Sequence, residues 1–89
     1  MKVLIDLSFK KDVDKITDPK TLHSIAACIT EIQNLDKLSI IPGCKKLKGS
    51  KNSYRIRLGD YRIGFIFENQ AIELIRCLHR SKIYDHFPE

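Results

Sequence analysis

Arg55, Arg57 and Arg62 fall within the stretch SYRIRLGDYRIGFIF, and their type and spacing suit the holding of an anion. A guanidinium stays protonated and presents a planar fork of donors that matches phosphate oxygens. Tyr54, Ile56 and Leu58 alternate with Arg55 and Arg57; Tyr61, Ile63, Phe65 and Phe67 then alternate with Arg62, Gly64 and Ile66. This period of two predicts a pair of half-buried strands, and Gly59-Asp60 is a suitable two-residue hairpin loop. With that loop Leu58 faces Tyr61, Arg57 faces Arg62 and Arg55 faces Gly64. Like charges directly opposite each other cost stability. Gly64 leaves bare backbone beside Arg55, where something can lie close. The residues of the hairpin alone leave two readings open: a face built for an anion, or a solvated outer face.

The distribution of charge favours the anion. The 89 residues carry 16 basic and 11 acidic side chains, a net charge of +5. Residues 1–40 hold six of each sign. Residues 41–67 hold seven basic side chains (Lys45, Lys46, Lys48, Lys51, Arg55, Arg57, Arg62) against Asp60 alone. Residues 68–89 hold three basic and four acidic ones, so the whole excess lies in the middle segment. Such clustering is the electrostatic footprint of a polyanion partner, with nucleic acid foremost. An acidic protein partner fits the same surface.

RNA cleavage without a metal needs help in deprotonating the 2′-hydroxyl, cations for the developing phosphorane, and an acid for the leaving 5′-oxygen. The three arginines can serve as the cations. His79, Tyr84 and His86 are available for proton transfer, although a lone His or Tyr near a C-terminus more often is solvated or packs. No triad, phosphate-cradling glycine loop or carboxylate pair is present. Cys44 sits among lysines, which are expected to lower its pKa. The three cysteines are odd in number and without paired spacing, which suits a reducing compartment. With His23, His79 and His86 they show no zinc-site spacing, so no metal is expected. Nothing reads as a membrane helix or a signal peptide.

The elements that must position these residues follow from the pattern. MKVLIDLSF reads as a first strand. Ser8 is the expected N-cap of a short helix through Ile16, with Phe9, Val13 and Ile16 on one stripe. Asp18 caps a second helix, with Pro19 at its first position, running to about Leu35; Leu22, Ile25, Ile29 and Ile32 form its core stripe, widened by Ala26. CKKLKG is either a short strand or loop. After the hairpin and a turn at Asn69-Gln70, AIELIRCLH is apolar on both faces and is expected to be central in the sheet. RSKIYDHFPE is expected to be too short to pack as an element of its own, apart from Ile83 tucking into the core. The expected class is α+β. It has an N-terminal strand, a helical hairpin, and a three- to four-stranded antiparallel sheet with the helices on one face and the arginines on the other. Residues 1–89 read as a single domain.

LKGSKNSYRIRLGDYRIGFIF followed by IRCLHRSKIYDHFP resembles the RelE/ParE superfamily of bacterial and archaeal toxins, in its RelE/StbE-like branch. The first half matches in element order. The resemblance implies a RelE-like fold and a small cytoplasmic toxin paired with a cognate antitoxin, acidic or amphipathic, that lays a helix over the apolar and basic surfaces. It implies an mRNA endoribonuclease acting in the A site of the 70S ribosome, without metal or cofactor. On this resemblance Arg55 and Arg57 hold and activate the scissile phosphate, Arg62 stabilises the transition state, and Tyr84 lies near the nucleophile and a stacked base. Arg80 falls in the family's basic tail, and Lys45, Lys46, Lys48, Lys51 and Lys82 are expected RNA contacts. Two departures stand out: Leu78 replaces an arginine of one branch, and Arg55 and Arg57 replace lysine. Arginine is a poor proton acceptor, which leaves His79 or Tyr84 as the base. Two alternatives remain open: a ParE-like gyrase inhibitor, or a member that binds ribosome or antitoxin with weak catalysis.

Overall fold

Backbone hydrogen bonding in the computed structural model, which describes residues 1–88, produces five strands and three α-helices. The strands are β1 (Lys2–Ile5), β2 (Cys44–Lys46), β3 (Ser53–Leu58), β4 (Tyr61–Glu68) and β5 (Ala71–His79). The helices are α1 (Leu7–Asp14), α2 (Pro19–Gln33) and α3 (Ile83–His86). One sheet runs in the order β1-β5-β4-β3-β2. β2 to β5 are an antiparallel meander, and β1 lies parallel to β5 at the far edge. CKKLKG therefore does contribute a strand, and β5 is internal as its two-sided apolarity requires.

The hairpin register is the one expected: Leu58 pairs with Tyr61, Arg57 with Arg62 and Arg55 with Gly64. β4 and β5 stay in step from Tyr61 opposite His79 to Gly64 opposite Arg76; Phe65 then pairs with Leu74, leaving Ile75 as an extra residue. This bulge lets Leu74 and Cys77, three residues apart, both face the core.

α1 departs from expectation. Its N-cap is Asp6, whose carboxylate accepts the Ser8 N–H at 3.0 Å, and the helix ends at Asp14. The chain leaves β1 with Asp6 still extended, so its short carboxylate reaches the free amide two residues on before Ser8 can act. α2 begins as expected: Asp18 accepts from Thr21 N and Pro19 stands at the first helical position. Ile25 and Ile32 are buried with Phe9, Ile16, Ile41, Ile56, Ile63, Phe65, Ile72, Leu74 and Cys77 in one core. Ala26 is exposed and outside that stripe.

The C-terminal segment corrects a second expectation. It does pack, as α3, with Ile83 and Phe87 both buried. A Cβ on Gly64 would lie 2.5 Å from Phe87 Cδ2, so the ring rests on the bare backbone of β4. By strand alternation Gly64 faces away from the core, and the tail therefore covers part of the face opposite the helices.

Candidate nucleic-acid interface

Two cross-strand rows build the face. Arg57, Arg62 and Leu78 form one, across β3, β4 and β5. Lys45, Arg55, Gly64 and Arg76 form the next, across β2 to β5. Strand alternation puts all of these on the side away from Ile56, Ile63 and Phe65.

Among the described residues the ion pair is Arg76–Asp12, at 2.7 Å, so Arg55, Arg57 and Arg62 have no carboxylate partner. Arg55 and Arg62 donate instead to main-chain carbonyls. Arg55 Nη1 donates to the Gly43 carbonyl at 2.6 Å. Arg62 Nη1 donates to the carbonyls of Gly59 at 2.7 Å and Tyr61 at 2.9 Å. Arg55 Nε is buried with no hydrogen-bond partner. A buried donor left unmade is costly.

The cations sense each other. The Arg62 guanidinium has its pKa lowered first by partial desolvation, then by the charges of Arg57 and Arg55, with a smaller push from Arg80; Tyr84 acts in the opposite sense. The structure thus brings Arg55, Arg57, Arg62, Arg80 and Tyr84 into one electrostatic neighbourhood. Tyr84 stands on α3 with 58% of its surface exposed, and Arg80 is fixed through its N–H to the Asp60 carbonyl at 2.8 Å.

Other candidates are placed elsewhere. His79 pairs with Tyr61 on the helix-covered side, its ring edge-on to Tyr61 with centroids 5.9 Å apart. Its Nδ1 lies 2.9 Å from Ser81 Oγ and accepts the Ser81 N–H. The structure does not bring His79 to the arginines, because strand alternation turns it away from Leu78's side. Lys46 pairs with Tyr54 and so points away from Lys45. Lys48 and Lys51 lie exposed in the β2–β3 connection, and Lys82 is exposed just before α3.

Two expectations about the site's surroundings change. The space beside Arg55 above Gly64 is occupied by Phe87, so the anion's place is narrowed to the region of the two rows that the ring leaves open. The Cys44 thiol has its pKa raised, not lowered: half-burial outweighs the opposing charge of Arg55. Sequence reading also missed Gly43, whose role rests on a carbonyl and not on a side chain. Its signal in the sequence is the Pro42-Gly43 pair, a turn dipeptide just before CKKLKG. Among the described residues no group of three His, Cys, Asp or Glu side chains is placed to hold a metal ion, and no helix is long and apolar enough to cross a membrane. The two rows of arginines can hold a phosphodiester, with a phenol at their margin.

Comparison with known proteins gives this geometry relatives. The family model described as the ParE toxin of type II toxin-antitoxin systems, parDE, matches residues 3–84. The chain is 42% identical over 90 residues to Toxin RelE3 of Methanocaldococcus jannaschii, covering 99% of this chain and 100% of the relative. It superposes on a chain of the RelB-RelE antitoxin-toxin complex from Methanococcus jannaschii with a TM-score of 0.82 and 39% identity, over 96% of this chain and 99% of the other. The toxin-antitoxin complex RelBE2 from Mycobacterium tuberculosis shares the fold, with a TM-score of 0.72 at 18% identity over 89% of this chain and 96% of that one.

Proposed function

The chain belongs to the ParE toxin family of type II toxin-antitoxin systems, and from that premise we propose that it is a RelE-type mRNA endoribonuclease acting on the ribosome. The observation that carries this reading is the cluster of three arginines in two adjacent rows without carboxylate partners, one of them with a buried donor unused. A phosphodiester placed across Arg55, Arg57 and Arg62 offsets their mutual repulsion. The 2′-oxygen attacks the adjacent phosphorus while the P–O5′ bond breaks, giving a 2′,3′-cyclic phosphate and a 5′-hydroxyl. The arginines neutralise the charge that develops on the phosphorane. Of His79, Tyr84 and His86, Tyr84 is the one whose charge acts on Arg62, and it takes the proton-transfer role or stacks on a base. Arg80, Lys45 and the exposed Lys46, Lys48, Lys51 and Lys82 attract the RNA backbone at longer range.

The partner is a cognate antitoxin, supported by the RelB-RelE complex of a relative 39% identical in sequence. It neutralises by covering or distorting the arginine face. The toxin acts as a single cytoplasmic domain with no cofactor. Incubation with programmed ribosomes tests the reading: cuts that require the ribosome and leave a 2′,3′-cyclic phosphate support it. Absence of cuts together with loss of gyrase supercoiling activity would assign the chain to the gyrase-poisoning branch after which the matching family model is named.

A further inference from the structure

Gly43 sits in the turn before β2 with φ at +73°, a conformation costly for residues with a Cβ. Its carbonyl accepts twice: from Arg57 N at 3.1 Å and from Arg55 Nη1 at 2.6 Å. Both lone pairs of one oxygen are thus spent on two of the three arginines. The space is equally restricted. A Cβ at position 43 would lie 3.0 Å from the Arg57 carbonyl oxygen, 3.3 Å from its Cβ and 3.4 Å from its nitrogen. A free arginine side chain loses much rotamer entropy on being ordered, and neighbouring cations push it away. The Gly43 carbonyl opposes both, and it leaves Arg55 Nε uncommitted.

Resting on the nuclease reading above, we infer that Gly43 is a positioning residue for the site. Its left-handed turn aims one carbonyl at Arg55 and at the Arg57 backbone, and so holds the Arg55 guanidinium in place on the arginine face. The residue touches no substrate; it acts through the two arginines.

The test uses the full chain labelled with 15N at arginine. In the wild type, restricted rotation gives resolved Arg55 Nη signals, and a short oligoribonucleotide shifts them. Gly43→Ala averages the Nη signals and weakens oligonucleotide binding roughly tenfold or more, the scale on which displaced positioning groups act. Gly49→Ala is the control: it imposes the same left-handed strain, at φ +80°, with nothing within 4 Å of the added carbon. It should leave the Arg55 signals and the binding as they are. A wild-type Arg55 whose Nη signals are already averaged overturns the inference without any variant. So does a Gly43→Ala chain that binds as tightly as Gly49→Ala. If the wild type cuts no mRNA while these binding differences persist, the nuclease reading fails and the role of Gly43 stands.

Discussion

Arg55 and Arg76 stand in one row of the sheet, separated by Gly64, and their surroundings are opposite. Arg76 donates from Nε and Nη2 to the two oxygens of Asp12, at 2.7 and 3.1 Å, and Asp12 also accepts the Cys77 N–H at 3.0 Å. That carboxylate, only 6% exposed, takes over the edge of β5 beyond the point where β1 ends. Arg55 has no carboxylate and keeps a buried donor unused. The same residue type serves cohesion at one end of the row and keeps a donor unused at the other. The difference lies in what the neighbouring elements supply: a helix with an acid beside Arg76, and a turn with a carbonyl beside Arg55.

If that contrast is right, removing charge has separable consequences in the two regions. The largest effect is on activity: Arg62→Ala or Arg57→Ala should lower single-turnover cleavage about 100-fold or more. The thermal midpoint should stay the same or rise, because a like-charged pair is relieved. Asp12→Ala should do the reverse. It strands the buried Cys77 N–H and removes one ion pair of Arg76, and denaturant unfolding should show a loss of about 3 kcal/mol. Gly64→Ala joins the two regions, since its methyl group collides with Phe87 and must shift the segment that carries Tyr84. A stability loss of about 1–3 kcal/mol is expected, and Phe87→Leu should recover part of it by shortening the ring.

The smallest effect concerns the buried thiol beside Asp12. Burial first, then the Asp12 and Cys28 charges, push the Cys77 pKa from 9.0 to about 12. The folded state keeps this proton after the unfolded chain has lost it. The stabilisation is therefore present below pH 9 and is lost as pH rises from about 9 towards 12. Cys77→Ala should flatten that alkaline decline, as followed by denaturant titration at stepped pH.

The strands that carry the arginines were legible because alternation and a two-residue turn together determine a register. The same reasoning placed Arg55, Arg57 and Arg62 on one face. It could not see the bulge at Ile75, because an inserted residue changes no local preference, nor that β1 would lie parallel to β5 across the sheet. Phe87 was hidden for a related reason. A tail ten residues long carries no periodicity, and only the absence of a side chain at Gly64 makes a place for the ring. His79 was misleading because its neighbours in sequence belong to the site, whereas strand alternation turns it to the other side. Gly43 escaped notice because its contribution is a main-chain oxygen, which no residue type announces.

The central claim is that arginines without carboxylate partners handle the scissile phosphate. Primer extension on mRNA in a purified translation system, with wild-type chain and Arg62→Ala side by side, tests it most directly. The account predicts cuts within the A-site codon from the wild type that vanish with a folded Arg62→Ala chain. Equal cutting by both would contradict it.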